Sequence, residues 1–170
     1  MATVSGFWHG GVTVASMDRS LAFYCDQLGL VQVSDRIVRD VALLSVVAAP
    51  ATELRVCMLQ IPGSDAHVEL VQYLDCPTPA TRVEVSSPGT GHLCLYVDDL
   101  REVWDRLSPS GVEAISPAPI DCSSRIPDSW CMYVRDPDGY PIELFEGPRY
   151  PIGRRVDGST ADLTSTPARG

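Results

Sequence analysis

Asp136-Pro137-Asp138-Gly139-Tyr140-Pro141-Ile142-Glu143-Leu144-Phe145-Glu146 is the stretch on which the fold is decided. Its opening tetrapeptide encodes a turn: proline fixes φ, the aspartates hydrogen-bond back to the chain, and glycine takes the positive φ. The residues that follow alternate as a strand does, with Ile142, Leu144 and Glu146 on one side and Glu143 and Phe145 on the other. That reading points Glu143 into the same interior as an aromatic ring. A carboxylate so placed needs a partner, because burying it alone is very costly.

Working outward, Trp130–Val134 reads as the strand leading into the turn, and a loop rich in Pro and Ser covers 116–129. Upstream, Gly91–Val97 reads as a strand that opens with His92. Asp98-Asp99 then precedes an amphipathic helix over 99–107, which Gly111 ends. The first half has the same grammar. Residues 7–15 read as a strand with His9, Gly11 and Thr13 on one face. Ser16 or Asp18 caps a helix over 18–28 with Leu21, Phe23, Tyr24 and Leu28 as its apolar stripe, and Gly29 stops it. Leu30–Val33 follows, then a less regular stretch over 37–49, a strand over Leu54–Gln60, and a turn at Ile61–Asp65. The strand His67–Tyr73 places His67, Glu69, Val71 and Tyr73 on one face. Residues 75–90 form a connector rich in Pro, Thr and Ser, and 148–170 form a polar tail.

The two halves therefore repeat. His92 follows His9 by 83 residues, Gly111 follows Gly29 by 82, and Glu143-Leu144 follows Glu69-Leu70 by 74. Each half reads β-α-β-β-β, with a histidine near its start and a glutamate near its end.

In its details this pattern resembles the vicinal oxygen chelate superfamily, which includes glyoxalase I, methylmalonyl-CoA epimerase, the extradiol dioxygenases and the bleomycin and fosfomycin resistance proteins. The matching residues are His9, Met17–Tyr24 and Leu28-Gly29-Leu30, then Gly91-His92, Val97–Leu100 and Asp136–Leu144. The resemblance spans 6–147 and implies an α+β fold. A single domain over 1–147 would comprise two paired β-α-β-β-β modules, about 6–74 and 90–147, forming a cupped, incomplete mixed β-barrel around one metal ion. It implies metal ligands at His9, Glu69, His92 and Glu143. Two imidazoles and two carboxylates suit a borderline or hard divalent ion such as Ni, Co, Zn, Mn or Fe.

Four ligand-type residues argue against pure sequestration of an antibiotic, the role of metal-free relatives. They also exceed the two His and one Glu of the extradiol dioxygenases. The resemblance thus implies an isomerase or lyase that abstracts a proton α to a carbonyl of a small chelating substrate, with Glu143 as the first candidate base and Glu69 the second. The alternatives are a ring-cleaving dioxygenase with Fe(II) at His9, His92 and Glu143, and an antibiotic-binding protein. Bacterial glyoxalase I places glutathione-contacting Arg and Asn where this chain has Thr13 and Tyr73, which weakens a glutathione reading. The epimerase needs a second carboxylate base, for which Glu53 and Asp40 are the candidates at hand. His67, Thr13, Tyr73, Tyr96, Trp130 and Phe145 are the expected pocket residues.

Composition bounds the rest. The 170 residues, 45% hydrophobic and 21% charged, contain no run approaching the ~18 apolar residues of a membrane span. A net charge of -9 disfavours nucleic acid as a partner. The N-terminus lacks a signal-peptide pattern, so the expected compartment is the cytoplasm, and the expected assembly is a homodimer. The six scattered cysteines read as small buried thiols.

Overall fold

The computed structural model describes residues 3–4, 6–47, 50–76 and 83–149. The first module runs β1 (His9–Thr13), α1 (Met17–Leu21), a π-helical turn (Ala22–Gln27), β2 (Val31–Val38), α2 (Val41–Val47), β3 (Leu54–Gln60) and β4 (His67–Tyr73). The second runs β5 (Leu93–Tyr96), α3 (Leu100–Leu107), β6 (Ile120–Asp121), β7 (Trp130–Arg135) and β8 (Pro141–Glu146). Each module folds into a four-stranded sheet of identical topology, in the orders β1-β4-β3-β2 and β5-β8-β7-β6. Within each, the first and last strands pair in parallel and the others antiparallel. The α+β class and the paired β-α-β-β-β modules of the sequence reading hold, with two open mixed sheets and, among the described residues, no closed barrel.

Strand alternation sets where the core lies. Val12, Val68, Leu70, Met132, Val134, Ile142 and Leu144 all point to the side covered by the helices. There they meet Met17, Phe23 and Tyr24 of the first helical segment and Leu100, Val103 and Leu107 of α3 in one shared core. The α3 positions follow the i, i+3, i+7 spacing of a helix with one apolar face. Asp99 caps it, accepting from Glu102 N at 2.8 Å.

Three sequence expectations need correction. The helix of 18–28 is α-helical only to Leu21, where a π-turn takes over, marked by Leu28 N donating to Phe23 O at 3.0 Å. Phe23 and Tyr24 within it are both buried. Most of the stretch over 37–49 is regular after all: it ends β2 and forms α2 as far as Val47, with 48–49 outside the described residues, and Leu44 of α2 packs with Leu54, Val56, Val71 and Tyr73. Finally, the side to which Glu143 points is not the core. It is the opposite, open face of the sheet, where the Glu143 side chain keeps 20% of its surface. Of the connector, 77–82 lies outside the described residues, as does the tail from 150 onward.

The Asp136–Gly139 turn joins the modules. Asp136 is 5% exposed. Its carboxylate accepts from Tyr24 Oη at 2.9 Å, Asp138 N at 2.9 Å and Tyr140 N at 2.8 Å. Asp138 in turn accepts from Ala15 N at 2.9 Å and pairs with Arg19. Gly139 supplies the required left-handed φ of 89°. The turn thus grips the first module's β1–α1 junction as well as its own hairpin.

A second polar anchor makes an acid-stability prediction. Arg55 on β3 donates Nε and Nη2 to Asp35 on β2, at 3.0 and 2.7 Å, and Nη1 to Asp18 at 2.7 Å. Hydrogen bonding from Arg55 holds the Asp35 carboxyl below its ordinary 3.8. A carboxyl depressed in the native state contributes stability that is present above its unfolded value and lost as pH falls through the native one. Urea midpoints across pH 5 to 2.5 should therefore fall less steeply in Arg55→Met than in the wild type.

Candidate metal centre

The first module sets His9 and Glu69 side by side on its open face. In the parallel pairing of β1 with β4, His9 lies opposite His67, and Gly11 lies opposite Glu69. Gly11 has no side chain to cover the carboxylate, so the imidazole one step along the strand reaches it: His9 Nε2 is 3.5 Å from Glu69 Oε2. The Nδ1 atoms of His9 and His67 are buried without a hydrogen-bond partner. Across the sheet, Glu69 faces Met58, and Val71 lies next along its own strand. The carboxylate thus stands beside His9, with Met58 across the sheet and His67 and Val71 flanking it on its own strand.

The second module repeats this placement with a different surround. His92 sits one residue before β5, and its Nε2 is 3.0 Å from Glu143 Oε2. Tyr133, directly opposite Glu143 in the β7–β8 hairpin, donates its hydroxyl to the same oxygen at 2.9 Å and lies 3.1 Å from His92 Nε2. Cys131 donates its thiol to Glu143 Oε1 at 3.2 Å. Cys94 stands opposite Glu143 on the other side, on β5. Burial first, and then Glu143, push both thiols up to about 12 and raise the Tyr133 phenol well above its usual value. These groups face the carboxylate as neutral hydrogen-bond donors. The expectation of uniformly buried thiols therefore fails: Cys57 is buried, Cys94 is exposed and Cys131 is half-buried.

Two glutamate–histidine pairs result. Among the described residues of one chain no group of three or more His, Cys, Asp and Glu is disposed to hold a metal, although His92 and Cys131 both contact Glu143. The structure thus brings His9 to Glu69 and His92 to Glu143, but not the four together. The donor chemistry of each pair, imidazole nitrogen beside carboxylate oxygen on an accessible face, fits half of a divalent-ion site.

The other expected residues divide. Thr13, Tyr73, Tyr96 and Phe145 are in phase with the pairs, and Tyr96 meets Phe145 edge to face at 5.6 Å. His67 lies beside His9 on the neighbouring strand. Trp130 is on the other side of its sheet: opposite Glu146, whose carboxylate caps Leu100 N at 2.7 Å, it lies beneath the Arg101 guanidinium at 4.5 Å. The even count along β7 puts it with the helices and not with the pocket. Glu53 and Asp40 are otherwise engaged, Glu53 with Arg39 and Asp40 capping α2 through Leu43 N at 3.0 Å. Tyr133 and Cys131 escaped the sequence reading. The turn itself carries the signal that finds them, since Tyr133 and Glu143 stand equally far on either side of Asp138.

Comparison with known proteins places this geometry. The profile described as "Glyoxalase/Bleomycin resistance protein/Dioxygenase superfamily" matches residues 6–144. A lactoylglutathione lyase of Salmonella typhimurium is 32% identical over 143 residues, covering 81% of this chain and 90% of the relative. A probable lactoylglutathione lyase of Synechocystis is 26% identical over 139 residues, covering 81% and 92%. The crystal structure of a glyoxalase family protein from Bacillus cereus superposes with a TM-score of 0.75 at 21% identity, covering 85% of this chain and 95% of that one. The Leishmania major glyoxalase I structure gives 0.55 at 23%, covering 81% and 84%. The structural likenesses bear on fold. The sequence relatives support an enzyme of glyoxalase type.

Proposed function

The chain belongs to the glyoxalase/bleomycin resistance protein/dioxygenase superfamily, and from that premise we propose that it is a metal-dependent lyase or isomerase acting on a small chelating carbonyl compound. The observation that carries this reading is the pair of equivalent half-sites, His9 with Glu69 and His92 with Glu143, on the open faces of two like sheets. Because one chain holds them apart, a complete site forms where the first module of one copy meets the second module of another. That makes the working protein a homodimer with two sites.

His9, Glu69, His92 and Glu143 would hold one divalent ion from the series Ni, Co, Zn, Mn and Fe, which when bound polarises the substrate carbonyl and favours loss of the adjacent proton. The residues of the chain supply the rest. One of the two carboxylates takes the proton from the carbon α to the carbonyl and returns it to the neighbouring position. Tyr96 and Phe145 give the substrate an apolar wall on one side, and Tyr73 with the residues beneath α2 gives one on the other.

The test begins with metal content. Purified protein should carry close to one divalent ion per chain, and a His9→Ala/His92→Ala double variant should carry essentially none at unchanged helix and sheet content. Equal, substoichiometric metal in both would sink the reading. Deuterium wash-in at a substrate carbon, lost on chelation, marks proton transfer. Oxygen uptake with catechols would instead identify a ring-cleaving dioxygenase.

A further inference from the structure

Helix α2 (Val41–Val47) is apolar at every position but Ser45, yet only Leu44 of it is buried. Val41 and Val46 are 78% and 80% exposed, and Leu43 and Val47 are exposed with them. The one polar side chain is turned back on the helix, since Ser45 Oγ donates to Val41 O at 2.7 Å. A helix apolar on all sides belongs in a packed interior, with one surface beneath it and another above. Seven residues are also too few to hold a helix by their own hydrogen bonds. The surface beneath is present: Leu44 seats on Leu54, Val56, Val71 and Tyr73. The surface above is not supplied by the described residues of this chain.

Val71 and Tyr73 follow Glu69 at alternate positions of β4, opposite Val56 and Leu54. The helix therefore stands on the same open face as His9 and Glu69, beginning roughly 7 Å further along the strand. From this placement we infer that α2 is the contact through which a second copy of the chain seats on the first module, with the open face of that copy's second module lying over Val41, Leu43, Val46 and Val47. The inference rests on the homodimer proposed above and names the surface that holds it. A second copy is the occupant that the half-sites require, because it brings His92 and Glu143 to the face where α2 stands. The second module also leaves large apolar side chains exposed on its open face: Tyr96, opposite Phe145, and Ile120, opposite Cys131. The exposed apolar surface of α2 comes to about 400 Å², the size of the largest patch on an ordinary monomer. In a twofold dimer the contact occurs twice and covers both partners each time. It then removes about 1,600 Å² from water, the standard size of a specific interface.

Sedimentation of the full chain at micromolar concentration, with cobalt(II) titrated in parallel, tests this. The wild type should be a dimer. The fourfold variant Val41→Gln/Leu43→Gln/Val46→Gln/Val47→Gln keeps Leu44 and puts a good helix former at each exposed position. Its dimer should be weaker by about 100-fold or more at unchanged helix and sheet content, and its cobalt affinity should fall in step, since separated copies hold only half-sites. If that variant fails to fold, Val46→Arg alone, at an exposed position that no core contact uses, should weaken the dimer by about 10-fold. A variant that dimerises as tightly as the wild type overturns the inference and leaves the metal reading standing. Binding of the wild type to phosphatidylcholine vesicles, lost in the variant while its dimer survives, assigns α2 to a lipid surface and overturns it equally. A wild-type chain that stays monomeric with cobalt present overturns the dimeric assembly itself.

Discussion

Two variants that are each inactive, His9→Ala and His92→Ala, are expected to restore one another when unfolded together and refolded as a mixture. The proposed ligand pairs stand on different modules, His9 with Glu69 and His92 with Glu143. In the His9→Ala chain the second module is intact, and in the His92→Ala chain the first module is intact. A mixed dimer therefore builds one site from two good halves and one from two bad halves. With random pairing, half the dimers are mixed and each has one working site of two, so the recovered cobalt binding and proton-exchange activity should be about a quarter of wild type. Each variant refolded alone should recover none. A site built within one chain gives no restoration in the mixture, because every chain carries a broken ligand. The distinction is between a plain signal and none, which makes it the sharpest test of the assembly.

The second large effect concerns folding. Asp136→Ala is expected to destabilise the protein by about 2–4 kcal/mol, because it leaves the buried Tyr24 hydroxyl and two backbone N–H groups without their acceptor. Burial raises the Asp136 carboxyl above its ordinary 3.8, and the hydrogen bonds from Tyr140 N, Tyr24 and Asp138 N offset part of that rise. Asp136→Asn, which keeps an acceptor oxygen and removes the charge that burial penalises, should lose much less. Tyr24→Phe should lose about 1 kcal/mol, as one bond of the set is removed. Urea unfolding reads all three. If Asp136→Ala falls within about 0.5 kcal/mol of wild type, the turn is not the clamp that its contacts describe.

Much of this was legible in the chain. The recurrence of His9 at His92 and of Glu69-Leu70 at Glu143-Leu144, 83 and 74 residues on, encoded the duplicated β-α-β-β-β plan, and strand alternation placed all four proposed ligands on one kind of face. Alternation alone does not say which face is the core. Glu143 and Phe145 looked interior because the strand is apolar on both sides, and only the helices packed over Ile142 and Leu144 settle it. The π-turn at Ala22–Gln27 escaped because it changes the helical period within a few residues. Helix α2 escaped because Val41–Val47 has no polar face: Val41, Leu43, Val46 and Val47 are exposed apolar residues, so no moment marks it. Trp130 was misassigned for a simpler reason. Aromatic character suggests a pocket, but position along the strand decides the side.

The shared topology of the two sheets has one more consequence. A site assembled from two unfused copies of a single module would lie on an exact twofold axis. Every improvement on one side would then be imposed on the other, and two identical carboxylates could not have different surroundings. Joining the modules in one chain releases that constraint. Tyr133 and Cys131 could arise in the second module while Met58 and Gly11 stood in the first. Both sites of the proposed dimer would then inherit the same lopsidedness. Duplication here supplies the freedom to be asymmetric, and the four residues around the two glutamates record how that freedom was used.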